Sequence, residues 1–221
     1  MVEPSGGELS RIASVDLSHL VDLRGIELIG ASDVTNPLRG ADGAAAVFGP
    51  QKGADDHAVA ALERGLDSLV EACRGLPGID AVGLAETAGA GSAGGIGFGL
   101  LLLGGSLVSG ADYFLDLLDF GAHIRECDLL VTGEGCLDSQ TASGKLISAV
   151  CARAGSTPVW AVVGRTTLDA ASARQLGLSM VLALQDLSPQ DTSRDPVGAT
   201  AVLQDAGRAI LNAVKTDRLA S

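Results

Sequence analysis

Apolar positions along the chain fall into short runs, some with the period of a helix and some compact enough for a buried strand. IELIGAS (26–32) reads as the first strand, and it passes into DVTNPLRGADG, whose Asn-Pro and glycines predict a loop. Between Asp55 and Arg74 the residues Val59, Leu62, Leu66, Leu69, Val70 and Cys73 recur at helical spacing, with Asp55 and Asp56 placed to cap the start. GLPG (75–78) ends that helix. IDAVGLA (79–85) is a short apolar run ahead of the glycine cluster AGAGSAGGIGFG, and LLLLGG after it reads as buried. ADYFLDLLDF (111–120) predicts a helix, DLLVTG (128–133) a buried strand ending in a glycine turn, and KLISAVCARAG (145–155) a further helix. PVWAVVG (158–164) is the clearest strand, being β-branched and closed by glycine. A helix near 168–176, a strand near 179–184 and a polar loop over 186–196 follow. Asp195-Pro196 then opens a last helix that runs to about Lys215.

Beyond residue 140 the order is helix, strand, helix, strand, helix, which predicts parallel strands joined by crossovers. The fold class expected is α/β, with two α/β domains. A polar loop near 138–144 suggests domains 1–139 and 140–221, the second with a mainly parallel sheet. That second domain shows only two strand candidates and is expected to be an incomplete Rossmann-like unit with open edges, prone to self-association.

Composition narrows the functional classes. Of 221 residues 47% are hydrophobic but only 3% aromatic, so the core must be built from Ala, Val, Leu and Ile. A formal charge of −12 excludes a basic surface for nucleic acid or anionic membrane, and leaves an anionic substrate to a local site. No CxxC spacing and no nearby histidines accompany the four cysteines, which points away from zinc and toward reduced thiols in the cytoplasm. The longest apolar stretch, 95–108, is short and broken by glycine.

Three stretches hold candidate chemistry. GAGSAG (89–94) matches G-x-G-x-x-G, but Asp112, at the spacing of a ribose-binding acid, begins a helical pattern where the dinucleotide fingerprint needs a strand end. Gly89, Gly91 and Gly94 then read either as an amide turn for an anion or as a close-packed structural turn. GEGCLDSQTASGK (133–145) is not a Walker A loop, yet Glu134 or Asp138 offers carboxylate oxygen to Mg²⁺. Gly144 and Lys145 at a helix start could face a phosphate beside Gly133 and Gly135; an ordinary connection with solvated charges is the other reading. SDVTNPL (32–38) sets Asp33 and Asn36 just past a strand end, and FGPQKGA (48–54) adds Gln51 and Lys52. Such a set could orient a small hydroxy acid; Asx-turn chemistry and a surface lysine explain the same residues without a ligand.

In order and spacing, DVTNPLRGADGAAAVFGPQKGA (33–54), GAGSAGGIGFGLL (89–101) and DLLVTGEGCLDSQTASGK (128–145) closely resemble the bacterial glycerate kinase family of the two-domain α/β type, a resemblance running from about residue 5 to the C-terminus. It implies ATP- and Mg²⁺-dependent phosphorylation of D-glycerate at the 2-hydroxyl by a cytoplasmic enzyme. Asp33 and Lys145 would be catalytic, Asn36, Gln51 and Lys52 would serve the substrate, and Glu134 and Asp138 the metal. Gly89, Gly91, Gly94, Gly133, Gly135 and Gly144 would serve the phosphates. Two departures stand out: Cys136 occupies a place where the family usually has Arg or Lys, and family members have a long further segment, with a glycine-rich GGSATxDGG-like loop, ahead of the first residue here. The resemblance therefore implies a chain without activity alone, partnered by that segment or by a second copy. A non-catalytic remnant or half of a split kinase is one alternative, and a dinucleotide-binding oxidoreductase another.

Overall fold

A computed structural model describes residues 5–138, 146–189, 191 and 194–220, with backbone alone over 217–220. The chain divides into two compact units, Met1–Gly110 and Ala111–Ser221.

In the first unit, β1 (Ile29–Ala31) is followed by α1 (Ala44–Phe48), a 3-10 turn over Pro50–Lys52, α2 (Asp56–Cys73), α3 (Ala81–Ala85), α4 (Ile96–Leu102) and β2 (Ser106–Val108). β1 and β2 pair in parallel, Ile29 opposite Ser106. The long α2 forms where its period predicts, capped by Asp55, whose carboxylate accepts from the Ala58 N–H at 2.8 Å. Its apolar stripe supplies Leu66, Val70 and Cys73 to a core shared with Leu38, Ala85 and Phe98. IDAVGLA, a short apolar run by sequence, contains α3, because Asp80 accepts from the Gly83 N–H at 3.0 Å and starts a helix there. α4 begins in the glycine cluster and ends in LLLLGG, the stretch that reads only as buried, and β2 follows directly after it: glycine and leucine carry little periodic signal, and pairing with β1 fixes β2.

The second unit holds α5 (Gly110–Leu117, begun at the junction), α6 (Phe120–Ile124), β3 (Leu130–Leu137), α7 (Leu146–Arg153), β4 (Val159–Thr166), α8 (Ala170–Gln175), β5 (Leu178–Ala183), α9 (Leu184–Leu187) and α10 (Pro196–Ala220). Its sheet is parallel throughout, in the order β3-β4-β5. Val159, Ala161 and Val163 on one face pack with Ile147 and Val150 of α7 and Ala173 of α8. On the opposite face Val162 meets Leu184, Val202 and Ala206. Asp119, in a left-handed conformation, breaks the helix predicted over 111–120 into α5 and α6.

Three expectations change here. The division expected at 139/140 lies instead at 110/111, because β3 pairs with β4 along its whole length and so belongs to the C-terminal unit. That strand is also the third of its sheet, where two were expected. Moreover, β3 does not stop at Gly133. It continues through Glu134, Gly135 and Cys136 to Leu137, whose carbonyl accepts from the Thr167 N–H at 3.0 Å and the Thr166 hydroxyl at 3.2 Å. A β-carbon on Gly133 would overlap the Val162 carbonyl oxygen, so glycine there permits close pairing with β4 and does not mark a turn.

Candidate functional site

Carboxyl ends of parallel strands are where α/β folds place ligand groups. In the first unit the end of β1 runs into Ser32, Asp33 and Val34, and this loop is packed backbone to backbone against the glycine cluster. The Gly91 N–H donates to the Asn36 carbonyl at 3.0 Å, and a β-carbon on Gly91 would overlap the Pro37 carbonyl oxygen. Gly89, at φ 87°, lies so close that a β-carbon would stand 3.1 Å from the Val34 oxygen. Asp33 is exposed, and a β-carbon on Gly110 would stand 3.3 Å from its Oδ1. Asn36 donates its side-chain Nδ2–H to the Asp42 carbonyl at 2.8 Å, which closes the following turn. Arg39 then ties the loop down, donating to Asp67 at 2.8 Å and to Glu86 at 3.2 Å. The hydrogen bond to Asp67, with the charges of both carboxylates, raises the Arg39 guanidinium above its ordinary value. That cation is committed to the scaffold.

The structure thus brings Asp33, Asn36, Gly89 and Gly91 together. Lys52 and Gly94 line a separate, mostly apolar cavity of about 150 Å³ with Phe48, Leu62 and Leu66, while Gln51 is exposed on the 3-10 turn. The amide reading of the glycine cluster is corrected in part: the N–H groups of Gly91, Ser92 and Gly94 donate to the carbonyls of Asn36, Gly89 and Gly91. At those positions the cluster is a close-packed support for the Asp33 loop. Sequence reasoning passed over Ser32 and Ser92. Their hydroxyls meet at 2.9 Å, and Ser92 is only 8% exposed; a lone serine among glycines gives no signal of that.

In the second unit, strand alternation puts Thr132, Glu134 and Cys136 on one face, with Asp138 just past the strand end. Glu134 is paired with Val163 and Cys136 with Arg165. The Cys136 thiol faces Asp138 Oδ2 at 3.8 Å. Gly133 and Gly135 lie on the other face, and a β-carbon on Gly164 of β4 would stand 2.6 Å from the Gly135 oxygen. Glu134 and Asp138 are about 13 Å apart at Cα by strand rise, so they suit one-carboxylate contacts to a phosphate-bound cation better than a shared cage. Among the described residues no three His, Cys, Asp or Glu groups cluster as metal ligands. Lys145 and Gly144 lie outside the described residues.

Elsewhere, Arg153 of α7 pairs with Asp112 at 2.7 Å and with Asp116, which holds the Asp116 carboxyl below its ordinary value. Asp112, the residue at ribose-binding distance from GAGSAG, sits in the first turn of α5 and is engaged with that arginine. The described helices include none long and apolar enough to cross a membrane.

Comparison with known proteins gives a consistent picture. The chain is 38% identical to the glycerate kinase of Bacillus subtilis over 187 residues, covering 83% of this chain and 48% of that one. It is 36% identical to the glycerate 2-kinase of Escherichia coli, covering 81% and 47% respectively. A crystal structure from Salmonella typhimurium LT2, named as a candidate glycerate kinase 2, superposes with a TM-score of 0.63 at 32% identity, over 94% of this chain and 56% of that one. The chain therefore spans about half the length of these relatives. The family model for glycerate kinases matches residues 1–215, which contain both the Asp33 loop and the whole of β3. The α/β units, the parallel strands and the three sequence motifs agree with that match: the chain belongs to the glycerate kinase family.

Proposed function

We propose that this chain takes part in ATP-dependent phosphorylation of D-glycerate at the 2-hydroxyl, giving 2-phosphoglycerate and ADP. The supporting observation is the Asp33 loop: an exposed carboxylate at the carboxyl end of a parallel strand, on a backbone immobilised by the glycine cluster. In this reading the first unit serves the substrate. Asp33 accepts the proton of the glycerate hydroxyl as that oxygen attacks the γ-phosphorus of ATP and the bond to the ADP oxygen breaks. Asn36 sets the shape of the turn; Lys52, which lines a separate cavity, and Gln51 are not part of this set.

The second unit serves the nucleotide. β3 presents Glu134, and Asp138 follows its end; one or the other carboxylate would contact Mg²⁺ bound to the phosphates, and Lys145 would meet a phosphate oxygen. Bound Mg²⁺ neutralises charge on the transferring group. The surrounding chemistry is that of a small anionic metabolite in the cytoplasm.

Two-dimensional NMR titration of the purified chain tests this reading independently of turnover. D-glycerate is expected to shift the amides of 32–36, and ATP with Mg²⁺ those of 133–138. A coupled ADP-release assay then reads transfer itself. Unperturbed 32–36 amides at saturating D-glycerate would sink the substrate assignment.

A further inference from the structure

We propose that Ser92 is a positioning residue for Asp33, acting through Ser32 and the Val34 peptide; this rests on the reading of Asp33 as the group facing the glycerate hydroxyl. The hydrogen bonds form a ring in which each donor is used once. Val34 N–H donates to Ser32 Oγ at 3.1 Å, Ser32 O–H donates to Ser92 Oγ at 2.9 Å, and Ser92 O–H donates to the Val34 carbonyl at 3.4 Å. Either hydroxyl could donate across the middle bond, but the Ser92 proton is the one directed to Val34, so the Ser32 proton closes the ring.

Both polar groups of Val34 are therefore held by hydroxyls, on the residue directly after Asp33. Pinning the Val34 N–H fixes the peptide between Asp33 and Val34, and with it the direction in which the Asp33 side chain leaves the main chain. Ser92 can do this from 58 residues away because its own turn is anchored by the Gly91–Asn36 bond and by Gly89 against Val34. At 8% exposure it is a polar side chain in a core otherwise built of apolar residues, and burying a hydroxyl costs stability unless its bonds are made. Its hydroxyl bridges from the glycine cluster to the Asp33 loop, which makes orientation of that loop its contribution.

The test compares the wild-type chain with Ser92→Ala, Ser32→Ala, the double variant and Ser92→Thr, which keeps a hydroxyl. Amide hydrogen exchange at Val34 and titrations with D-glycerate and with ATP are read for each. Loss of either serine should speed Val34 exchange and weaken D-glycerate binding about tenfold, the scale of one lost hydrogen bond. ATP binding should be unchanged. The double variant should be no weaker than the singles, since the ring is broken once, and Ser92→Thr should restore binding. Equal losses of D-glycerate and ATP affinity, tracking the drop in melting temperature, would overturn the proposal by making Ser92 merely structural. Wild-type D-glycerate affinity in Ser92→Ala would overturn it as well. A wild-type chain that does not bind D-glycerate would instead sink the functional reading, and Val34 exchange would still report the ring.

Discussion

Cys136 of β3 stands directly opposite Arg165 of β4 in the parallel ladder, and residues paired in this way leave the sheet on the same face. The cation that the family resemblance leads one to expect after GEG is absent from β3, yet a guanidinium is present one strand away. Replacing Cys136 by Arg would set two like charges side by side, about 4.8 Å apart at Cα. Cys136→Arg is expected to lower the melting temperature, and the penalty should vanish in an Arg165→Gln background. A double-mutant cycle by thermal denaturation measures this; additive effects would show that the two side chains do not interact.

Gly91 and Gly99 make a matched pair. A methyl group at Gly91 collides with the Pro37 carbonyl, which is main chain and cannot step aside, so Gly91→Ala should cost about 1–3 kcal/mol. At Gly99, inside α4, a β-carbon would meet nothing within 4 Å, and Gly99→Ala should stabilise by about 0.5–1 kcal/mol. Urea denaturation of both variants reads the contrast, and loss of stability in both would mean that α4 packs more tightly than described.

Asp33→Asn keeps the shape of the loop and removes the acceptor. D-glycerate turnover should fall about 10²- to 10⁴-fold while ATP binding is retained. Steady-state kinetics with a coupled assay decides the point, and unchanged kcat removes Asp33 from the chemistry.

The Arg153–Asp116 pair predicts a pH dependence. Its guanidinium lowers the folded-state value of the Asp116 carboxyl, so the pair's contribution is complete above the ordinary carboxylate value of 3.8 and is lost as pH falls through the lowered one. Both groups are exposed enough that the effect will be small. The melting temperature of Asp116→Asn should lie slightly below that of the wild type at pH 6, and the two should converge once pH has fallen below the lowered carboxyl value. A constant gap across that range would assign the effect to packing.

Much of the fold was legible because it is locally encoded. Asp55 and the stripe of Leu66, Val70 and Cys73 specify α2, and Val159 to Val163 specify a strand buried on both faces, since period and capping act over a few residues. Family membership was likewise in the sequence, in three long motifs in register. Asp33 and Asn36 were visible as candidates because a strand end followed by Asx-Pro chemistry is itself a local pattern.

Tertiary structure decided what depends on neighbours distant in the chain. Glycine has no side chain to show which way it is used, so Gly133 and Gly135 read as a turn, and only the Val162 carbonyl of β4 shows that they belong to a strand. The same pairing moved the division between units to 110/111. GAGSAG resembles a phosphate turn by spacing, but its amides at Gly91, Ser92 and Gly94 are taken by carbonyls, one of them from the Asn36 loop. Ser92 gained its place for the same reason: a hydroxyl becomes informative only when folding withdraws water and leaves Ser32 and Val34 as its partners.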